Sequence, residues 1–252
     1  WKFDATNGSQ IGILGNTSPT SGYPTSVYYA GNSTNGQPSA DMDANASYLL
    51  VSHSAANQVR LFNHAGSQLG SSLAVSTPMG VALDASGTAY YASGSDIYKA
   101  SVSGSGFGTP VKLNASSYEG SVRRLDVATD GNLWVALGGA SNRVLKVNSA
   151  NGSVIASYGT IAGRKDGVYN PSDATHGGFK FVSDITATND GGFVVSELGV
   201  PRRTAVYSST GTLVREWYGG HGFRPQAAGD PTNSNSVWMH SGQAELAKLD
   251  VN

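Results

Sequence analysis

The sequence predicts an all-β fold: a single β-propeller built from four-stranded antiparallel blades. Three observations lead there. A unit of alternating strand, Gly-bearing turn, alternating strand, loop and third strand recurs at intervals of ~45 residues, the period of a propeller blade. No apolar periodicity of 3.6 residues persists beyond a turn or two, so strands have no helical competitor. Ser, Thr, Asn and Gly make up close to two-fifths of the 252 residues, while charged residues supply 13%, about half the usual share. Such a composition suits short strands joined by many tight turns.

The copies follow one another along the chain. Ala40 to Phe62 (ADMDANASYLLVSHSAANQVRLF) gives the first, and Gly80 to Lys99 (GVALDASGTAYYASGSDIYK) the second. Arg124 to Val147 (RLDVATDGNLWVALGGASNRVLKV) and Ser183 to Tyr207 (SDITATNDGGFVVSELGVPRRTAVY) are the clearest, and Gly229 to Val251 is the weakest. Asp41 and Asn57 align with Asp126 and Asn142 without a gap. After the third strand, Ala65-Gly66, Asn151-Gly152 and Thr210-Gly211 each precede a fourth apolar stretch. Gly accepts the positive φ that a tight hairpin needs. Five copies predict five blades. A sixth, assembled partly from Tyr23 to Gly31, is the alternative.

The last copy reaches Asn252 without a fourth strand, whereas GSQIGILG at residues 8–15 has the content of one. The expectation is one propeller domain over residues 1–252, its last blade closed when residues 8–15 pair beside Glu245 to Val251. Residues 1–4 then read as a spare strand, as in a fragment of a longer chain or a strand donated to a neighbour.

Composition also narrows the partners. Sixteen basic and seventeen acidic residues leave a net charge of −1, with no basic cluster longer than Arg202-Arg203, so nucleic acid is not an expected partner. No apolar run approaches the ~18 residues of a membrane span. The absence of cysteine removes disulfides, thiolate nucleophiles and cysteine metal sites. Six N-x-S/T sequons, at Asn7, Asn16, Asn32, Asn45, Asn114 and Asn151, accompany a charge-poor, hydroxyl-rich surface. Together these features predict an extracellular or cell-surface protein.

Antiparallel order places the loops after the second and fourth strands of each blade on one face. Both long insertions, Asn16 to Ser39 and Thr160 to Lys180, belong to that face, where function usually concentrates. The ligand-face candidates are His53, His176, Glu197, Arg202, Arg203, His221, Tyr28, Tyr29 and Tyr169, with Tyr118 and Glu119 on the same loops. His53, His176, His221 and Glu197 are the residue types that hold a divalent cation, with Arg202 or Arg203 as an anion clamp, although no His-x-x-x-His spacing accompanies them. Asp41, Arg124, Asp126 and Asp184 fall on innermost strands and are candidates for holding an ion in a central channel. The run Asp41 to Asn45 lacks the Gly and the later Glu of a calcium loop.

The repeat of strand, Asp-Gly turn, Trp-Val-Ala strand, Asn-Arg-Val strand and closing Gly resembles the NHL-type propeller repeats. Leu125 to Gly159 and Ile185 to Gly220 match best, and DGVYNPSD at Asp166 to Asp173 is similar to the linker before such repeats. The resemblance implies a propeller, in a family that includes binding modules, scaffolds and a few lyases. The Asp usual at the end of the second strand is replaced here by His53, Ser93, Leu137 and Glu197.

No Gly-x-Ser-x-Gly elbow, phosphate-cradling loop or paired carboxylate is legible. The sequence therefore points to a non-catalytic extracellular binding or assembly module, a scaffold, filament or adhesion protein. Its partner would be a protein or glycan, or a second copy reached through the terminal strands; no cofactor is assigned, a divalent cation being the one candidate. The alternative is a metal-dependent lyase or hydrolase using the His/Glu set and a divalent cation.

Overall fold

The computed structural model describes residues 2–3, 10–12, 40–165, 172, 177–199, 201–219, 226–229, 236–240 and 246–250. The chain divides into two compact units, residues 1–91 with 99–111 and residues 92–98 with 112–252.

Near the N-terminus β1 (Lys2–Phe3) pairs with β2 (Gln10–Gly12). The first four-stranded sheet runs in sequence order through β3 (Ala40–Ala44), β4 (Tyr48–His53), β5 (Gln58–Asn63) and β6 (Leu73–Ala74). The second follows with β7 (Pro78–Leu83), β8 (Thr88–Ser93), β9 (Asp96–Ser103) and β10 (Gly106–Phe107). Its outer position is shared, because β11 (Val111–Lys112) also pairs with the eight-residue β9.

The third sheet is β12 (Val122–Val127), β13 (Leu133–Leu137), β14 (Val144–Val147) and β15 (Val154–Tyr158). The fourth is β16 (Val182–Ala187), β17 (Phe193–Glu197), β18 (Arg202–Tyr207) and β19 (Leu213–Gly219). Each sheet is a meander of antiparallel hairpins, the order that alternating strands and short connections impose.

The fifth copy corrects the expected blade count. Its strands β20 (Gln226–Gly229), β21 (Ser236–His240) and β22 (Leu246–Asp250) form a three-stranded sheet. Among the described residues the propeller therefore has four four-stranded blades, not the five or six expected. A repeat reports where strands recur, but a blade requires all four to pair. Much of the expected closure by residues 8–15 lies outside the described residues. The described part, Gln10–Gly12, pairs with Lys2–Phe3.

The second strands are the most buried, and the outermost strands are largely exposed. All of β13 and β17 is buried, whereas Val154 and Ile155 of β15 face solvent. In the second unit an aromatic cluster fills the space between the third and fourth sheets. Trp134 and Phe193 lie 4.5 Å apart between ring centres, and Phe193 stacks on Tyr207 at 5.0 Å. Fully burying rings of this size stabilises by ~2–3 kcal/mol each, so this interface dominates the unit.

First strands lie at sheet edges, where backbone N–H groups need acceptors. Side-chain carboxylates supply them. Asp43 Oδ2 accepts the Leu83 N–H at 2.7 Å, Asp41 Oδ2 that of Val81 at 3.0 Å, and Asp126 Oδ2 that of Ala187 at 2.6 Å. These bonds link β3 to β7 and β12 to β16. Burial raises the Asp126 pKa, and hydrogen bonds from Ala187 and Val127 offset only part of that rise.

Candidate functional site

Two constructions stand out, both in the second unit. The first begins with register: Glu197 closes β17 and sits directly opposite Arg203 of β18. Both side chains are fully buried. A carboxylate out of water must be paired and hydrogen-bonded, and Glu197 is. Its Oε1 accepts Arg203 Nη2 at 2.8 Å, and its Oε2 accepts Arg203 Nε at 3.1 Å and Arg164 Nε at 2.7 Å.

The remaining donors reach outward. Arg203 donates to Glu216 Oε2 at 3.1 Å, to the Gly178 carbonyl at 2.6 Å and to Tyr207 Oη at 3.1 Å. Arg164 donates to the Pro201 carbonyl at 2.6 Å. Two cations and two anions therefore neutralise one another. Burial works to lower the Arg203 pKa, but the Glu197 charge beside it holds it above the ordinary value. Burial pushes the Tyr207 phenol up as well.

This clasp ties the long connection from 160 to 180 onto the fourth sheet. Gly163, next to Arg164, has φ +72° and packs so tightly on the Phe179 carbonyl that no Cβ fits. Only glycine delivers the chain to the clasp at that point.

The sequence-nominated residues distribute unevenly. Glu197 and Arg203 come together, but as an internal ion pair whose oxygens are held by guanidinium groups. Arg202 is half-buried, with one guanidinium nitrogen buried and without a partner among the described residues. His53 ends β4 in the first unit. Its Nδ1 is buried and unpartnered among the described residues, and burial, reinforced by Arg60, lowers its pKa. His176, His221, Tyr28, Tyr29 and Tyr169 lie outside the described residues. Among the described residues no three His, Asp or Glu side chains are grouped to hold a metal ion. Of the channel candidates, Arg124 and Asp184 approach to 3.9 Å, while Asp41 and Asp126 accept the backbone bonds described above.

The second construction is an open groove of about 560 Å³ on the third sheet. One wall is the connection at residues 115–119, and the other is formed by β14, β15 and the turn between them. Arg143, just before β14, is the charged centre. Its Nε donates to Ser141 Oγ at 3.1 Å, its Nη1 to Ser157 Oγ at 3.4 Å and its Nη2 to Glu119 Oε2 at 2.6 Å. The Arg143 side chain is 19% exposed, that of Glu119 66%.

The groove wall is held in place by Tyr118, whose buried hydroxyl donates to the Gly152 carbonyl at 2.8 Å. Burial pushes the Tyr118 phenol up to about 12. Asn114 adds to the anchor. Its Oδ1 accepts the Ile97 N–H at 2.8 Å, and its Nδ2 donates to Asp96 Oδ1 at 2.9 Å. Sequence reasoning named Tyr118 and Glu119, on the connection before the third sheet, but missed Arg143 and Ser157. Asn-Arg-Val is also the repeat's structural signature, which hid a solvent-facing arginine within a strand motif.

No protein-family model matches the chain, and no curated protein sequence matches it significantly. Solved structures do. Hydrazine synthase of Kuenenia stuttgartiensis superposes with a TM-score of 0.56 at 14% identity, over 84% of this chain and 58% of that one. A streptogramin B lyase gives 0.55 at 14% identity, over 84% and 68%. Virginiamycin B lyase from Staphylococcus aureus gives 0.53 at 13%, over 83% and 68%. The fold is a β-propeller. At these identities the likeness extends to the fold alone, because propellers host many unrelated sites. The chain spans less than two thirds of the hydrazine synthase chain it resembles.

Proposed function

We propose that this propeller is a non-catalytic extracellular binding module that seats a polar partner in the groove of its third blade. One observation carries the reading. Among the described residues Arg164, Arg203, Glu197 and Glu216 neutralise one another inside the clasp, whereas the solvent-facing groove offers hydroxyls, an amide and one ion pair. Its lining contains no histidine or cysteine. The charge-poor surface favours an extracellular setting, as does the exposed sequon at Asn151 on the rim of the groove.

The test combines a glycan and protein array with elemental analysis. Expected is saturable binding that survives EDTA and is lost when Ser157→Trp fills the groove. Stoichiometric transition metal, with an EDTA-sensitive turnover unaffected by Ser157→Trp, would overturn the reading in favour of a metal-dependent lyase or hydrolase.

A further inference from the structure

We propose that the groove is a seat for a carboxylate-bearing oligosaccharide, and that Glu119 occupies the place of the ligand's carboxylate until it is displaced. The proposal rests on the binding reading above and specifies its ligand class.

The guanidinium of Arg143 is preorganised. Hydroxyls of Ser141 and Ser157 fix two of its edges, and its remaining edge faces the groove, where Glu119 completes the pair. A planar, always-charged guanidinium held this way presents its Nη2 to a carboxylate. The present occupant is weakly held. Glu119 stands 66% exposed on a connecting segment, and ion pairs of that exposure contribute only ~0–1 kcal/mol. An incoming carboxylate therefore exchanges one charge-assisted contact for another at little cost.

The rest of the groove suits a sugar. Ser116 lies on one wall, with Asn151, Ser153 and Ser157 on the other, so hydroxyl and amide groups face each other across the cavity. Beside them Leu145 and the half-exposed Val154 offer an apolar strip for the C–H face of a sugar ring. A volume of about 560 Å³ is within the range of small-ligand sites and accommodates a short oligomer. A sugar ring offers hydroxyl partners to the serine and asparagine side chains of both walls and a C–H face to the apolar strip, which together favour it over an acidic peptide.

The experiment is calorimetric titration of the intact chain with trigalacturonate, galactotriose and an Asp-Ser-Asp tripeptide. Trigalacturonate should bind, weakening as salt rises, and galactotriose at least ~10-fold less well, the loss of one charge-assisted contact. Arg143→Gln should lower trigalacturonate affinity ~10-fold, while Glu119→Gln should raise it ~2–5-fold by removing the internal competitor. Glu119 is exposed, so its variant tests the proposal even if Arg143→Gln does not fold. Equal binding of galactotriose, indifferent to both variants, would overturn acid recognition and leave the binding reading standing. Preference for the tripeptide would overturn the saccharide assignment. Absence of all three binders would overturn the proposal, while the array result decides separately whether the groove binds anything.

Discussion

Glu197 illustrates how a residue nominated for chemistry can serve structure instead. It is an acid at a loop-facing strand end, the kind of position where ligands are held, yet its oxygens accept three hydrogen bonds from two arginines. Breaking a buried pair by removing one partner leaves an uncompensated charge, which costs ~3–5 kcal/mol. Glu197→Gln is therefore expected to lower stability by about that amount in a denaturant titration. Arg164→Gln should cost less, because Arg203 still faces Glu197. At the groove, Tyr118 has a different signature. Its phenol is raised from 10.0 to about 12, so the folded state prefers the protonated hydroxyl. That contribution is complete below pH 10 and is lost as pH rises through about 12. Ultraviolet titration of wild type against Tyr118→Phe should show one phenol ionising near that upper value. Asp96 and Asp130 act in the opposite direction. Burial tends to raise both, but hydrogen bonds from Ser117 and Lys112 to Asp96 and from Lys146 and Asn132 to Asp130 leave them lowered. Their stabilisation is present above the ordinary carboxylate range and is lost in acid.

At the scale of single elements, most strands were legible because period-two alternation and turn chemistry agree. The aligned Asn57 and Asn142 also have a physical meaning. Both adopt left-handed backbone, at φ 53° and 45°, and both side chains accept an N–H from a following connection, Thr77 and Phe181 respectively. What the pattern did not reveal was the sharing of the second blade's outer position between β10 and β11, since a two-residue strand has no alternation to read. Nor could it reveal the clasp, because contacts of Arg164 with Glu197 across 33 residues leave no local signature. The turn before β15 is a place where sequence and geometry agree. Gly152 has φ +74°, and a Cβ there would stand 2.6 Å from the Asn114 Cα. Gly152→Ala is expected to cost ~1 kcal/mol for the backbone alone, plus the displacement of Asn114, measurable as a lowered melting temperature. The same change should weaken ligand binding, because it moves the wall that carries Tyr118.

The whole molecule shows how far repetition can be trusted. Counting copies gave the fold class correctly but overstated the blades, because recurrence in sequence is blind to whether a fourth strand is paired. Among the described residues the last copy contributes a three-stranded sheet. Function was less legible still. The repeat is a scaffold signature, and residue type on a loop does not separate an acid facing solvent from one facing two arginines, as Glu119 and Glu197 show. The central claim is that the third blade, not the fourth-blade loops, receives the ligand. Hydrogen–deuterium exchange of the intact chain with and without saturating trigalacturonate tests it most directly. The expected result is new protection confined to residues 115–119, the approach to β14 and residues 151–157. Protection centred instead on residues 197–203, with the groove unchanged, would contradict it.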